Sequence, residues 1–175
     1  MAFLRHAPRH VHHTVANVIE AQMTALNWKD PSATPLGAPV LRFTREAPLA
    51  GGRTTGIDKI SPGLVTITLG DELPSREEEL GGPLSSQEYP IFVDVFMGTD
   101  GEATAVASDV RDILLGRFPG TQRSLDVIDQ ATGTPVDGWR IELDDVERAR
   151  PNHNYQVHWQ VVKVTATTYF NEVSY

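Results

Sequence analysis

The sequence predicts an α+β fold: a mostly antiparallel β-sheet flanked by two helices, with long loops or an arm between the early strands. Two segments place apolar residues at helical spacing, and six shorter ones alternate apolar and polar residues as half-buried strands do. Three of those strands precede the second helix and three follow it, so sheet and helices pack as layers. The last run, Gln156–Phe170, alternates for fifteen residues and is rich in Val and Thr. That exceeds the usual strand length of roughly 3–10 residues, so it either bends around a barrel or reaches beyond its own sheet.

From about Val11 to Leu26, residues Val11, Val15, Val18, Ile19, Gln22, Met23 and Leu26 share one helical face, and Pro31 and Pro35 end the helix. Val40–Thr44 and Leu64–Leu69 follow as strands. Ile91–Met97 is the strongest strand, and Asp94 at its centre predicts a wet or hydrogen-bonded face, because a lone buried carboxylate is costly. Thr99 and Glu102 have capping-box spacing ahead of the stripe Ala103, Val106, Ala107, Val110, Ile113 and Leu114. Gly116 suits the position just past that helix, with Pro119 beyond it. Ser124–Asp129, Trp139–Val146 and Gln156–Phe170 complete the sheet, with turns at Gly133 and from Pro135 to Gly138. The whole reads as one domain, 1–175, in which about 45–88 form a loop or β-arm insertion.

The chain has 175 residues and no cysteine, which removes disulfides, thiolate zinc sites and a cysteine nucleophile together and fits a reducing, cytosolic setting. No apolar run approaches the roughly eighteen residues of a membrane span. Met1 to His10 lacks the apolar core of a signal peptide. A net charge of −8 argues against a dedicated nucleic-acid binder. Residues 1–60 are net basic and 61–175 strongly acidic, a polarity by which copies can attract head to tail.

Two irregular stretches, Arg45–Gly63 and Gly70–Glu88, are long for a compact domain. They read either as flexible surface or, with the strand between them, as an arm ordered by a neighbouring copy. The second holds Asp71, Glu72, Glu77, Glu78, Glu79 and Glu88 against Arg76 alone. Such a run is a solvated face or, in a ring, the lining of a bore that repels DNA phosphates. Asp71, Glu72, Glu77, Glu78 and Glu79, with Arg45, Arg53 and Lys59 of the first stretch, are the candidate lumen or interface residues.

Chemistry is sparse. His6, His10 and His13 have spacings at which imidazoles on one helix face can bind zinc, but Pro8 interrupts the first pair and no carboxylate stands near. The expectation for this cluster, His12 included, is a solvated, frayed terminus. His153 and His158 flank the last strand, with His158 at its surface. Asp144 and Asp145 point to opposite faces of a strand and share no proton or metal. Trp28, Trp139, Trp159, Phe92, Phe96, Tyr169 and Phe170 read as core, some as interface anchors. Nucleophile elbow, phosphate loop and dinucleotide turn are all missing from the sequence, so neither catalysis nor a cofactor is expected.

Certain phrases carry a resemblance. Tyr89-Pro90-Ile91-Phe92-Val93-Asp94-Val95-Phe96 leads into a helix with Glu102-Ala103 and Ala107-Ser108-Asp109-Val110-Arg111-Asp112-Ile113-Leu114. Trp139-Arg140-Ile141-Glu142-Leu143-Asp144-Asp145 and Tyr169-Phe170-Asn171-Glu172 follow. Over about 85–175, and loosely over the first 30 residues, the chain resembles the tail terminator (minor tail) proteins of siphophages, especially those infecting actinobacteria. The resemblance implies a virion protein of the tail or neck, assembled in the host cytoplasm as a hexameric ring. Such a ring caps the tail tube, stops polymerisation of the tube protein and presents a surface to the head–tail connector. DNA passes through its bore without specific binding. The competing readings are a head–tail connector or head-closure subunit, a tail tube protein, a small metal-dependent enzyme built on His6–His13, and a ligand-binding module.

Overall fold

The organising feature is a pair of long strands. β4 (Leu84–Met97) and β7 (His158–Asn171) run antiparallel through fourteen residues each, from Leu84 opposite Asn171 to Met97 opposite His158. The protein is seen here as a computed structural model that describes residues 7–26, 41–45, 62–70, 76–77, 84–150 and 157–171. Around this pair a seven-stranded sheet adds β1 (Arg42–Thr44), β2 (Leu64–Leu69), β5 (Ser124–Ile128) and β6 (Pro135–Ala149) in the order β1-β2-β4-β7-β6-β5. The two-residue β3 (Arg76–Glu77) pairs with the far end of β4, Arg76 opposite Ser86 and Glu77 opposite Ser85.

Both helices, α1 (Ala7–Ala25) and α2 (Asp100–Leu114), contribute to one apolar core on one face of the sheet. Val11, Val15, Ile19 and Met23 of α1 and Val106, Val110, Ile113 and Leu114 of α2 are fully buried against Val65 and Ile67 of β2, Ile91, Val93 and Val95 of β4, and Val162, Val164 and Ala166 of β7. The strand residues are spaced by two, so one pleat face supplies them all. The opposite face carries Leu64, Thr66, Thr68, Phe92, Asp94, Phe96, Trp159, Val161 and Lys163, which occupy the alternate positions of the same registers. Phe96 is buried on this face, as expected of a core residue, though apart from the helix-side cluster, while Phe92 and Trp159 are half-buried there. Trp139 is in the helix-side cluster, Tyr169 and Phe170 lie in β7, and Trp28 lies outside the described residues.

Several boundaries move. β1 runs parallel to β2, with Arg42 opposite Leu64. Parallel neighbours cannot be joined by a tight turn, so the chain must travel back from the end of β1 to the start of β2, which accounts for the length of 45–63. The strand between the two long stretches is no part of an arm: Val65, Thr66 and Ile67 are buried between β1 and β4. The second stretch also contains more strand than its composition suggests, since β3 lies within it and β4 begins at Leu84. β6 has a one-residue bulge, with Asp144 opposite Thr165 but Glu147 opposite Lys163. Asp145 sits there at φ 48, in the left-handed region that Asp tolerates better than most residues. Simple alternation thus fails at Asp144–Asp145.

The ends of α2 follow their sequence signals. Thr99 caps the start, its hydroxyl accepting from Glu102 N–H at 3.2 Å. At the other end Gly116 N–H donates to Ile113 O (3.0 Å) and Arg117 N–H to Asp112 O (2.9 Å), with Gly116 at φ +67. This paired arrangement is the Schellman closure, and it requires the left-handed residue. Substituting Gly116→Ala puts a Cβ at that φ and 3.3 Å from Arg123 N. The expected loss is roughly 1–2 kcal/mol in urea unfolding. Gly101→Ala, where a Cβ meets nothing within 4 Å, is expected to be neutral or to stabilise by about 0.5–1 kcal/mol.

Candidate assembly interface

An edge strand is a row of backbone donors and acceptors that must be paired, covered or used. β5 ends the sheet on one side, and α1 covers part of its edge. The Thr14 hydroxyl donates to His10 O at 2.8 Å and accepts from Ile128 N–H at 2.8 Å. His10 Nδ1 accepts from Gln130 N–H at 3.0 Å, and the ring stands edge-on to Trp139 with centroids 6.4 Å apart. Trp139 in turn donates its indole N–H to the buried Thr168 hydroxyl.

The histidines are therefore structural, and the expectation of a solvated, frayed terminus does not hold for His10, His12 and His13. The helix starts at Ala7 because Pro8 falls in its first turn, where the missing N–H costs nothing. His10 is 7 % exposed. His12 Nε2 lies 2.7 Å from Ile67 O and donates to it. Burial pushes the His12 pKa below the usual imidazole value, which keeps that ring neutral. Burial, and then the Arg45 guanidinium, do the same to His13. Arg45, a candidate lumen or interface residue, instead ties β1 to α1: it donates to His13 Nδ1 and to Asn17 Oδ1 (2.6 Å) and lies 3.8 Å from the Glu20 carboxylate. A guanidinium on His13 opposes a cation there. Among the described residues no three metal-ligating side chains converge; His6 lies outside them.

On the helix-free face, Asp94 accepts from Trp159 Nε1 at 2.8 Å and from the Thr66 hydroxyl at 3.4 Å. Trp159 stacks on Phe96 with centroids 5.6 Å apart. The carboxylate expected to be hydrogen-bonded is so, yet burial outweighs these bonds and raises its pKa above the usual carboxylate value. His158 is exposed at the start of β7. Arg123 bridges the β6 bulge, donating to Leu143 O at 3.1 Å and to Asp144 Oδ1 at 3.0 Å.

Of the acidic candidates, Glu77 lies in β3, while Asp71, Glu72, Glu78, Glu79, Arg53, Lys59 and His153 lie outside the described residues. Two further features shape the surface. One is a ribbon: β2 ends at Leu69 opposite Ile91, so β4 continues for seven residues beyond it, paired to β7 and β3. At roughly 3.4 Å per residue this extension spans about 24 Å. The other is a cleft of about 360 Å³ between α1 and β5, lined by Asn17, Val18, Ala21, Gln122, Ser124 and Asp126 among others. Backbone groups form its wall, and any side chain can stand on such a backbone. No protein-family model and no curated protein sequence matches this chain.

Asp94 yields a signed pH dependence. Its folded pKa is raised, so its contribution is most favourable at acid pH and is lost as pH rises through the folded value. Asp94→Asn keeps an acceptor for Trp159 and removes the charge. The stability of this variant relative to wild type is expected to increase as pH rises from acid toward neutrality in parallel denaturant titrations. A constant difference contradicts the assignment.

Proposed function

We propose that this chain is a non-catalytic, ring-forming virion subunit, a tail terminator of a long-tailed bacteriophage that caps the tail tube and offers a surface for head joining. The observation that carries this reading is the β4–β7 ribbon. β4 outruns β2 by seven residues and β7 outruns β6 by three, so the far end of the ribbon has fewer strand neighbours than its centre and gains them when a neighbouring copy pairs there. The charge polarity of the chain favours head-to-tail contact between copies, which closes into a ring when the rotation per subunit allows it. Glu77, opposite Ser85 at the far end of the ribbon, belongs to the acidic segment. In a ring, carboxylates there would face the bore and repel passing DNA. The partners of this reading are further copies of the chain, the tail tube protein and the connector. DNA is a passenger.

Light scattering over a concentration series, with negative-stain images of the same sample, tests it. Closed rings are expected of a heterologous interface whose rotation closes, and about six copies per ring is what the resemblance to tail terminators implies. Glu77→Gln, Glu78→Gln and Glu79→Gln together are expected to leave the rings intact and to slow DNA passage. A chain that stays monomeric and fails to bind tail tubes removes the reading. Unchanged DNA passage removes the role given to the acidic segment.

A further inference from the structure

Backbone groups of an antiparallel ladder alternate between facing the partner strand and facing away. Leu143 N–H donates to Arg123 O at 2.8 Å, which fixes Arg123 and Leu143 as a bonded pair. Leu125 and Ile141, two residues on, repeat it. Ser124 and Asp126, opposite Glu142 and Arg140, therefore aim their N–H and C=O groups away from β6. Among the described residues no strand follows β5 in the sheet order, so these groups face the cleft beside α1. Ile128 N–H, next in the alternation, is already taken by Thr14. The helix thus closes one end of the edge and leaves the other open. Val18 and Leu125, both half-buried against the core, make an apolar floor, and Asn17, Gln22, Thr121 and Gln122 add polar walls. A strand edge beside a helix, over an apolar floor, is the geometry that accepts an extended peptide as an added strand.

We infer that this cleft receives the end of β7, Tyr169 to Asn171, of a second copy of the chain. The inference rests on the ring-forming reading and names its contact. β7 continues through Asn171 on β4, whereas its register with β6 ends at Thr168 opposite Ile141. Within one sheet β6 stands between β7 and β5, so these two edges pair only between copies. Because the edges differ, the contact is head-to-tail and repeats from copy to copy, unlike a two-fold pair.

The test uses the outward direction of the Asp126 amide. Asp126→Pro removes an N–H that the β5–β6 ladder does not use, a placement proline tolerates on an edge strand. The Asp126–Arg140 ion pair (3.1 Å) lost with it is exposed and contributes little. The full-length variant is expected to keep wild-type circular dichroism and cooperative unfolding while its light-scattering mass falls to that of a monomer. Because the chain has no cysteine, a second measurement is clean: Ser124→Cys and Asn171→Cys, made in separate molecules, mixed and oxidised, should give a covalent dimer containing one of each. Wild-type rings accompanied by Asp126→Pro rings, or no mixed dimer, overturn the inference and leave the ring reading standing. A wild-type chain that never assembles removes both. Should Asp126→Pro fail to fold, the cross-link alone decides.

Discussion

The antiparallel pairing of β4 with β7 is the constraint on which the rest of the structure depends. Its inner half is packed on both edges, by β2 and β6, and one of its faces is sealed by both helices. Its outer half has β3 on one side and outlasts β6 on the other. One uninterrupted ladder thus joins a centre flanked by strands on both edges to an end where pairing with β2 stops at Leu69 and pairing with β6 at Thr168, although Tyr89, Ala166 and Thr168 are still buried there. Stability of an extended ribbon falls where it loses neighbours. The same feature that makes the fold rigid at its centre makes its far end suited to a partner.

The polar groups around the core follow one pattern. Several buried polar side chains join distant parts of the chain: Thr14 to Ile128, His10 to Gln130, Gln160 to Thr104 at 2.8 Å, Trp139 to Thr168. Among the described residues no buried side-chain nitrogen or oxygen lacks a hydrogen bond. These contacts set the angle of α1 against the β5 edge, and the cleft between them follows from that angle. Leaving one such group unpaired costs about 1–3 kcal/mol, so the seam is specified as well as filled.

Both helices and six strands were legible because periodicity records which side chains are buried, and local chemistry marks ends such as Thr99 and Gly116. Two kinds of information were not. Val65 and Thr66 alternate clearly, yet nothing in them says that both helices share the Val65 side or that β1 lies parallel to β2. Those are properties of the whole chain path. The histidines misled for a related reason: His10 and His12 look like a polar terminus until Gln130 and Ile67 supply their partners from over fifty residues away, and Arg45 reaches His13 from beyond the helix. The β5 edge was invisible because its functional groups are backbone atoms. Asp94 was readable, since a carboxylate amid Ile91–Met97 demands a partner whatever the fold.

Hydrogen exchange read by mass spectrometry, at concentrations below and above assembly, tests the central claim most directly. The account predicts that amides of 84–88 and 169–171 exchange faster than those of 91–97 in the dilute protein and become protected on assembly, with the amides of Ser124 and Asp126 slowing alongside them. Equal protection along the whole β4–β7 ladder at low concentration, unchanged on concentrating, would contradict it.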